Sequence, residues 1–269
     1  MRPQESIHIA AAGVMLLLAL FRPLGSRRRG RILLLAVVPA FTILVARFLV
    51  PGAASGIIRD WLPAALLLIP YWQAGQFFMG PDERIQNRLL AADAKLFAAF
   101  PRLARSRGAF WAAYLETAYL ICYPMVPLGF GVLLLAHHSA ATNFYWTVVV
   151  SASDLCFLCT IFVPAMPPRV LAEDPASRKV AGNEVRSLNL EVLNRGSIQA
   201  VTFPSAHVAS TMAAALVLLR VSPAWGAVFL IAGVSIALGA FLGRYHYAWD
   251  VAAGALLAAG VFLASQFAF

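Results

Sequence analysis

Apolar and polar residues along this chain segregate into long blocks. Nearly uniform apolar runs fall at 7–20, 32–50, 61–79, 110–136, 145–163, 205–219, 224–242 and 247–267. A helix crossing a bilayer needs about 20 mostly apolar residues. The pattern therefore predicts an all-α fold, a polytopic membrane helix bundle of about eight spans. Transmembrane β-strands would run to about 10 residues with alternating polarity, which these blocks do not show. The first and sixth runs are the shortest.

Two polar stretches interrupt the pattern. In 80–108, Asp82, Glu83, Arg84, Arg88, Asp93, Lys95 and Arg102 alternate with Leu89, Leu90, Leu96, Phe97 and Phe100 near helical spacing. This predicts an amphipathic interfacial helix on the membrane surface. The second, 164–202, opens with Pro164, Pro167, Pro168 and Arg169. It is too long for a mere connector and is expected to border an active site. The chain divides into additional N-terminal membrane helices, 1–60, and a core, 61–269, holding both stretches.

Composition agrees. Hydrophobic residues make up 61% and charged residues 12%, about half the charged share of a soluble domain, and mean hydropathy is +0.77. A soluble protein of this size could not enclose so much apolar surface. Net charge is +9 and the pI 10.1. In a membrane protein such charge anchors loops on anionic headgroups, and no basic-aromatic platform for nucleic acid accompanies it. Only Arg2 precedes the first apolar run, whereas Arg27, Arg28, Arg29 and Arg31 follow it, unlike a signal peptide. The expected location is the bacterial cytoplasmic membrane, with the bilayer as partner; no oligomeric state follows. Cys122, Cys156 and Cys159 lie in apolar runs and read as packing residues. No cofactor is implied.

Candidate chemistry rests on few residues. His8 and the pair His137-His138 lie at span ends and are expected to mark interfaces. His207 follows Phe203-Pro204-Ser205-Ala206, a helix start. There Ser205 and free backbone amides favour an anion; a chance histidine at an interface is the plainer alternative. His246 and Asp250 are four apart and share a helical face. A carboxylate on one ring nitrogen leaves the other as a free lone pair; a structural pair is the alternative. Arg244 adds a cation. With alternating spans, Arg169, His207 and His246 fall at one membrane face. Glu116 and Asp154 are further intramembrane carboxylates, read as structural partners, and Gly239-x-x-x-Gly243 as a close-packing motif.

Together these segments resemble the type 2 phosphatidic acid phosphatase superfamily, which includes inositol phosphorylceramide synthase-like enzymes. Pro204-Ser205-Ala206-His207 is similar to the family's Pro-Ser-x-His. His246 to Asp250, with Gly254 beyond, is similar to its His-x-x-x-Asp, and Pro167-Pro168-Arg169 resembles its first motif. The resemblance covers 61–267 and implies a six-helix core. It implies that His246 is the nucleophile, Asp250 its orienting partner and His207 the proton donor. Arg169, Ser205 and Arg244 would then hold the phosphoryl oxygens of a lipid phosphate, with no metal. The family's usual Lys upstream of the first arginine is absent, and position 240, where an arginine is usual, is Ala. The pattern is closer to the inositol phosphorylceramide synthase-like branch, with Lys179 or Arg186 as candidates for the missing cation. The expected activity is a lipid phosphatase; the alternatives are a phosphotransferase moving a phospho-headgroup onto a lipid alcohol and, distantly, a transporter or a two-His, one-carboxylate metal site. Charge in the loops places the site on the cytoplasmic face, whereas the resemblance implies the opposite one.

Overall fold

The computed structural model describes residues 1–104, 108–171, 174, 176–177, 180 and 182–268; Lys179 lies outside them. Among the described residues the structure is all-helical. The helices are α1 Pro3–Phe21, α2 Ser26–Phe48, α3 Gly52–Leu66, α4 Leu68–Gly75, α5 Glu83–Ala99, α6 Ala109–Leu135, α7 Thr142–Thr160, α8 Glu184–Gly196, α9 Ala206–Val221, α10 Pro223–Leu242 and α11 Ala248–Ser265. Pro70, which has no N–H for the turn before it, follows the break between α3 and α4.

Among the described residues, six helical segments are long and apolar enough to cross a membrane: α1, α2, α3 with α4, α6, α10 and α11. The protein is a multi-pass membrane protein. The other two predicted spans, α7 and α9, fall short for different reasons. α9 has 16 residues, about 24 Å at 1.5 Å per residue, against a hydrocarbon core of about 30 Å. α7 carries Asn143, Ser151, Ser153 and Asp154. Both are enclosed by other helices: Tyr145, Trp146, Val148 and Val149 of α7 and Val208, Ala209, Ala213 and Ala214 of α9 are fully buried. α9 packs against α10, α7, α11 and α6. A helix that faces protein on most sides needs less of the length and hydropathy that lipid demands. Close approach relies on small residues. A Cβ on Gly239 would lie 2.5 Å from the Leu115 carbonyl oxygen, so α10 meets the α6 backbone only as glycine.

Each polar stretch holds a helix, α5 in the first and α8 in the second. Asp82 caps α5, accepting from the Arg84 and Ile85 amides at 2.9 and 3.1 Å. α5 turns Gln86, Leu89 and Asp93 into the protein, and two of those three are polar, so its inner face binds polar partners. Asn183 caps α8 through the Arg186 amide at 2.8 Å, and α8 lays Asn189 and Leu193 against the bundle. The Arg28 guanidinium donates to the Gln76 carbonyl at 2.9 Å, beside the C-terminus of α4. The basic segment after α1, α5 and the 164–202 stretch thus gather at one end.

The expectation for His8 needs correcting. It is 1% exposed, with Nδ1 2.9 Å from Asp154 Oδ2 of α7. It ties α1 to the central helix instead of marking an interface. Exposed His137 lies at the far end of α6.

Candidate active site

The site forms where α10 ends, α11 begins and α9 starts. The turn between α10 and α11 is locked by backbone bonds: the Tyr245 and His246 amides both donate to the Ala240 carbonyl at 2.9 Å. This fixes His246 just before α11, one turn from Asp250. The separation of four residues then does what the helix dictates, and His246 Nδ1 lies 3.0 Å from Asp250 Oδ2. Asp250 is 0% exposed and His246 4%. With Nδ1–H donated to the carboxylate, the ring's lone pair is on Nε2. Nε2 points at His207 of α9, whose Nδ1 is 3.3 Å away. The three side chains form one continuous line, although His207 and His246 are far apart in sequence. Burial, and next the charge of Arg169, lower His246 from an ordinary histidine value of 6.5 to about 3. The ring is therefore neutral, with its lone pair free, throughout the physiological pH range.

α9 reaches His246 through its own start. The Ser205 amide donates to the Asp250 carbonyl at 2.9 Å. A Cβ on Gly254 would lie 2.6 Å from the Ser205 carbonyl oxygen, so α11 and the head of α9 touch backbone to backbone. Ser205 stands at the N-cap position, but its side chain makes no capping bond; Thr202 Oγ1 instead accepts from the Ala206 amide at 3.2 Å. The Ser205 hydroxyl is fully buried; among the described residues it has no partner, and the next amides, of His207 and Val208, have no backbone acceptor. Free first-turn amides beside an unsatisfied hydroxyl suit an anion.

Three arginines were candidates to hold that anion, and the structure separates them. Arg169 lies at the end of a short turn, with its amide donating to the Arg244 carbonyl at 2.9 Å. Its guanidinium is 5.7 Å from the Tyr245 ring centroid, and among the described residues it forms no ion pair. Arg186 lies over the same ring at 5.4 Å, but its Nη1 is 2.7 Å from Glu116 Oε1. Arg244 is engaged elsewhere. It is 1% exposed, with Nη1 2.6 Å from Asp93 Oδ2 and Nε 2.8 Å from Asp174 Oδ2. Both carboxylates approach as a buried clamp on the fork, and only Nη2 is left without a partner. Spacing alone put Arg244 beside His246, but two residues along an irregular turn send its side chain the other way.

Residues that sequence reasoning passed over build the frame. Asp93 also accepts from the Ala248 amide at 3.0 Å, so α5 caps α11 from outside. Burial pushes its carboxyl up, and Arg244 opposes that. Gln86 accepts the Met166 amide at 2.8 Å and contacts the Tyr247 hydroxyl. Tyr245 stacks on Tyr119 with centroids 3.9 Å apart, and its hydroxyl donates to Glu116. Glu116 also accepts from Asn189 at 2.8 Å. Its carboxylate is thus the anchor of α8, the structural pairing read from the sequence. The signal for Asp93 and Gln86 was present: polar residues at positions where an amphipathic helix should show its apolar stripe.

No curated protein and no solved structure matches the chain. The sequence pattern of one family does, over residues 87–264, which takes in α6 to α11 and leaves α1 to α4 outside. Members of that family are phosphatases and phosphotransferases. The match spans well over half of the sequence and includes the histidine pair, the aspartate and Ser205. The chain belongs to the PAP2 superfamily.

Proposed function

We propose that the protein is an integral membrane phosphatase that cleaves a phosphomonoester or diphosphate of a lipid through a phosphohistidine intermediate. The observation that carries this reading is the buried line Asp250–His246–His207, ending beside the Ser205 hydroxyl, which has no partner among the described residues, and Arg169, which forms no ion pair among them. His246 Nε2 attacks phosphorus, and the P–O bond to the lipid breaks with its electron pair staying on oxygen. His207, having taken the proton of the incoming phosphate monoanion, gives it to that oxygen. Neutral His207 then takes a proton from water, whose oxygen attacks phosphorus, and the P–N electron pair returns to His246. Arg169, Ser205 and the His207 and Val208 amides hold the phosphoryl oxygens as charge develops. Arg186, over the same tyrosine, stands in for the lysine that other members carry. Arg244 acts as a brace for the turn. If a lipid alcohol replaces water in the second step, the same chemistry makes a phosphotransferase, such as one moving phosphoinositol in the inositol phosphorylceramide synthase-like branch. The setting proposed is the bacterial cytoplasmic membrane.

A separation of 3.3 Å between the rings leaves no room for phosphorus, so one ring turns aside as the phosphate enters. His207 is the freer: it borders an open cavity, whereas His246 is held by Asp250.

The test is phosphate release from lipid phosphates in detergent, in the presence of excess chelator, since no step needs a metal. His207→Ala is expected to lose about 10²–10⁴-fold with an alkyl phosphate, the range of general acid catalysis. It should lose far less with p-nitrophenyl phosphate, whose leaving group departs without a proton. Equal losses on both substrates would rule out the donor role. Gly254→Leu drives a side chain into the Ser205 backbone. Displacements near 1 Å cost about 10²-fold in oriented sites, so a comparable fall in kcat is expected while the protein still elutes as a monodisperse species.

A further inference from the structure

Beyond His207, away from His246, the protein holds a cavity of about 310 Å³. It is walled by Leu67 at the α3–α4 break, Tyr71 of α4, Tyr123 of α6, Phe157 of α7 and Leu193 of α8, with His207 at its head. Its lining is predominantly apolar, and His207, Ser210 and Thr202 are among its few polar residues. The Tyr71 hydroxyl is already occupied, accepting from the Ile198 amide at 3.0 Å. The cavity is open on one side, and Leu68 and Trp72 on its rim are substantially exposed, on a helix pair that is itself apolar enough to span.

We infer that this cavity receives a single hydrocarbon chain of the leaving lipid alcohol, and that α3 and α4 set which chains are accepted. The inference rests on the phosphatase reading, because that reading makes His207 the leaving-group side of the site. Three observations point to this occupant. The cavity is continuous with the residue that protonates the departing oxygen, so the first carbons of the alcohol must enter it. Its wall offers dispersion contacts and almost no hydrogen bonds. Its volume is at the small end of small-molecule sites, roughly 300–1,000 Å³, which fits one chain and not the two of a diacyl lipid. Leu67, Tyr71 and Trp72 lie outside the residues matched to the family.

The experiment uses alkyl phosphonates of four, six and eight carbons, monomeric in water and resistant to hydrolysis. Binding to the full-length protein in one detergent is read as thermal stabilisation, against inorganic phosphate as reference. In the wild type, affinity should rise with each methylene, by at most about fourfold. Leu67→Trp, which fills the wall, should flatten that rise while leaving the response to inorganic phosphate intact; Leu67→Ala should preserve it and extend it to longer chains. An identical chain-length profile in all three proteins overturns the inference. Turnover of the corresponding alkyl phosphates is measured alongside. A chain-length profile that Leu67→Trp flattens, with no turnover of any phosphate, would retain the cavity's role and reject the hydrolytic reading. Turnover with no chain-length dependence would do the reverse.

Discussion

His246→Ala is expected to reduce phosphate release by about 10⁴-fold or more, the scale seen when the nucleophile of a covalent mechanism is deleted. The expectation follows from geometry. His246 Nε2 is the free lone pair at the centre of the site, since Nδ1 faces Asp250 at 3.0 Å. Its lowered basicity keeps it neutral, so protonation of His246 should not limit the rate between pH 5 and pH 8; any acid limb near pH 6 belongs to another group. Asp250→Asn should lose much of the activity as well, because an amide no longer selects the tautomer that leaves Nε2 bare. Two measurements check this. Steady-state turnover gives the size of the loss. Rapid quenching with labelled substrate tests for a protein-bound phosphate that survives alkali and is released by acid, the behaviour of a phosphoramidate; it should be absent in His246→Ala. A variant that keeps full turnover, or keeps the labelled adduct, removes His246 from the role of nucleophile.

Arg244→Ala is expected to be the most destabilising single change at this end of the bundle, at about 3–5 kcal/mol. That is the usual result of removing one partner from a buried ion pair. Here the loss strands two carboxylates, Asp93 and Asp174, which approach the guanidinium at 2.6 and 2.8 Å. The backbone adds to the effect. Arg244 has φ of 62°, a left-handed conformation that non-glycine residues adopt at a cost of about 1–3 kcal/mol. The clamp on its side chain and the Arg169 amide on its carbonyl hold it there. Arg244→Lys should recover only part of the loss, because a point charge cannot meet two carboxylates from one planar fork. The measurement is thermal unfolding in detergent, with Arg195→Ala, which removes an exposed side chain, as a control that should unfold near the wild-type temperature. Unchanged stability together with a raised KM would instead make Arg244 a phosphate holder.

How much of this could be read from the sequence differs by element. The membrane character and the spans α1, α2, α6, α10 and α11 were legible because lipid-facing helices must declare themselves in every residue. α7 and α9 were legible as apolar runs, but their enclosure was not, since a helix buried in protein has no composition of its own. The pairing of His246 with Asp250 followed from helical spacing. Its meeting with His207 did not, because no local rule relates α9 to the turn after α10. The arginines show the same limit. Arg169, Arg186 and Arg244 look alike as letters, and only the arrangement of Glu116, Asp93 and Asp174 distinguishes the unpaired guanidinium from the two that are engaged. Asp93 was read as part of a solvated helix face, although its seven-residue spacing from Gln86 through Leu89 places all three on one side.

The contact between His8 and Asp154 bears on how the protein is made. A carboxylate at the centre of a nascent span raises the free energy of its transfer into the bilayer by about 2.5–3.5 kcal/mol. α7 carries that burden without the hydropathy to offset it easily. α1 leaves the ribosome well before α7, already holding the imidazole that Asp154 will meet. α1 thus brings to α7 the imidazole that faces Asp154. A truncation that kept the family-matched residues and discarded α1 would ask the translocon to release Asp154 into lipid alone.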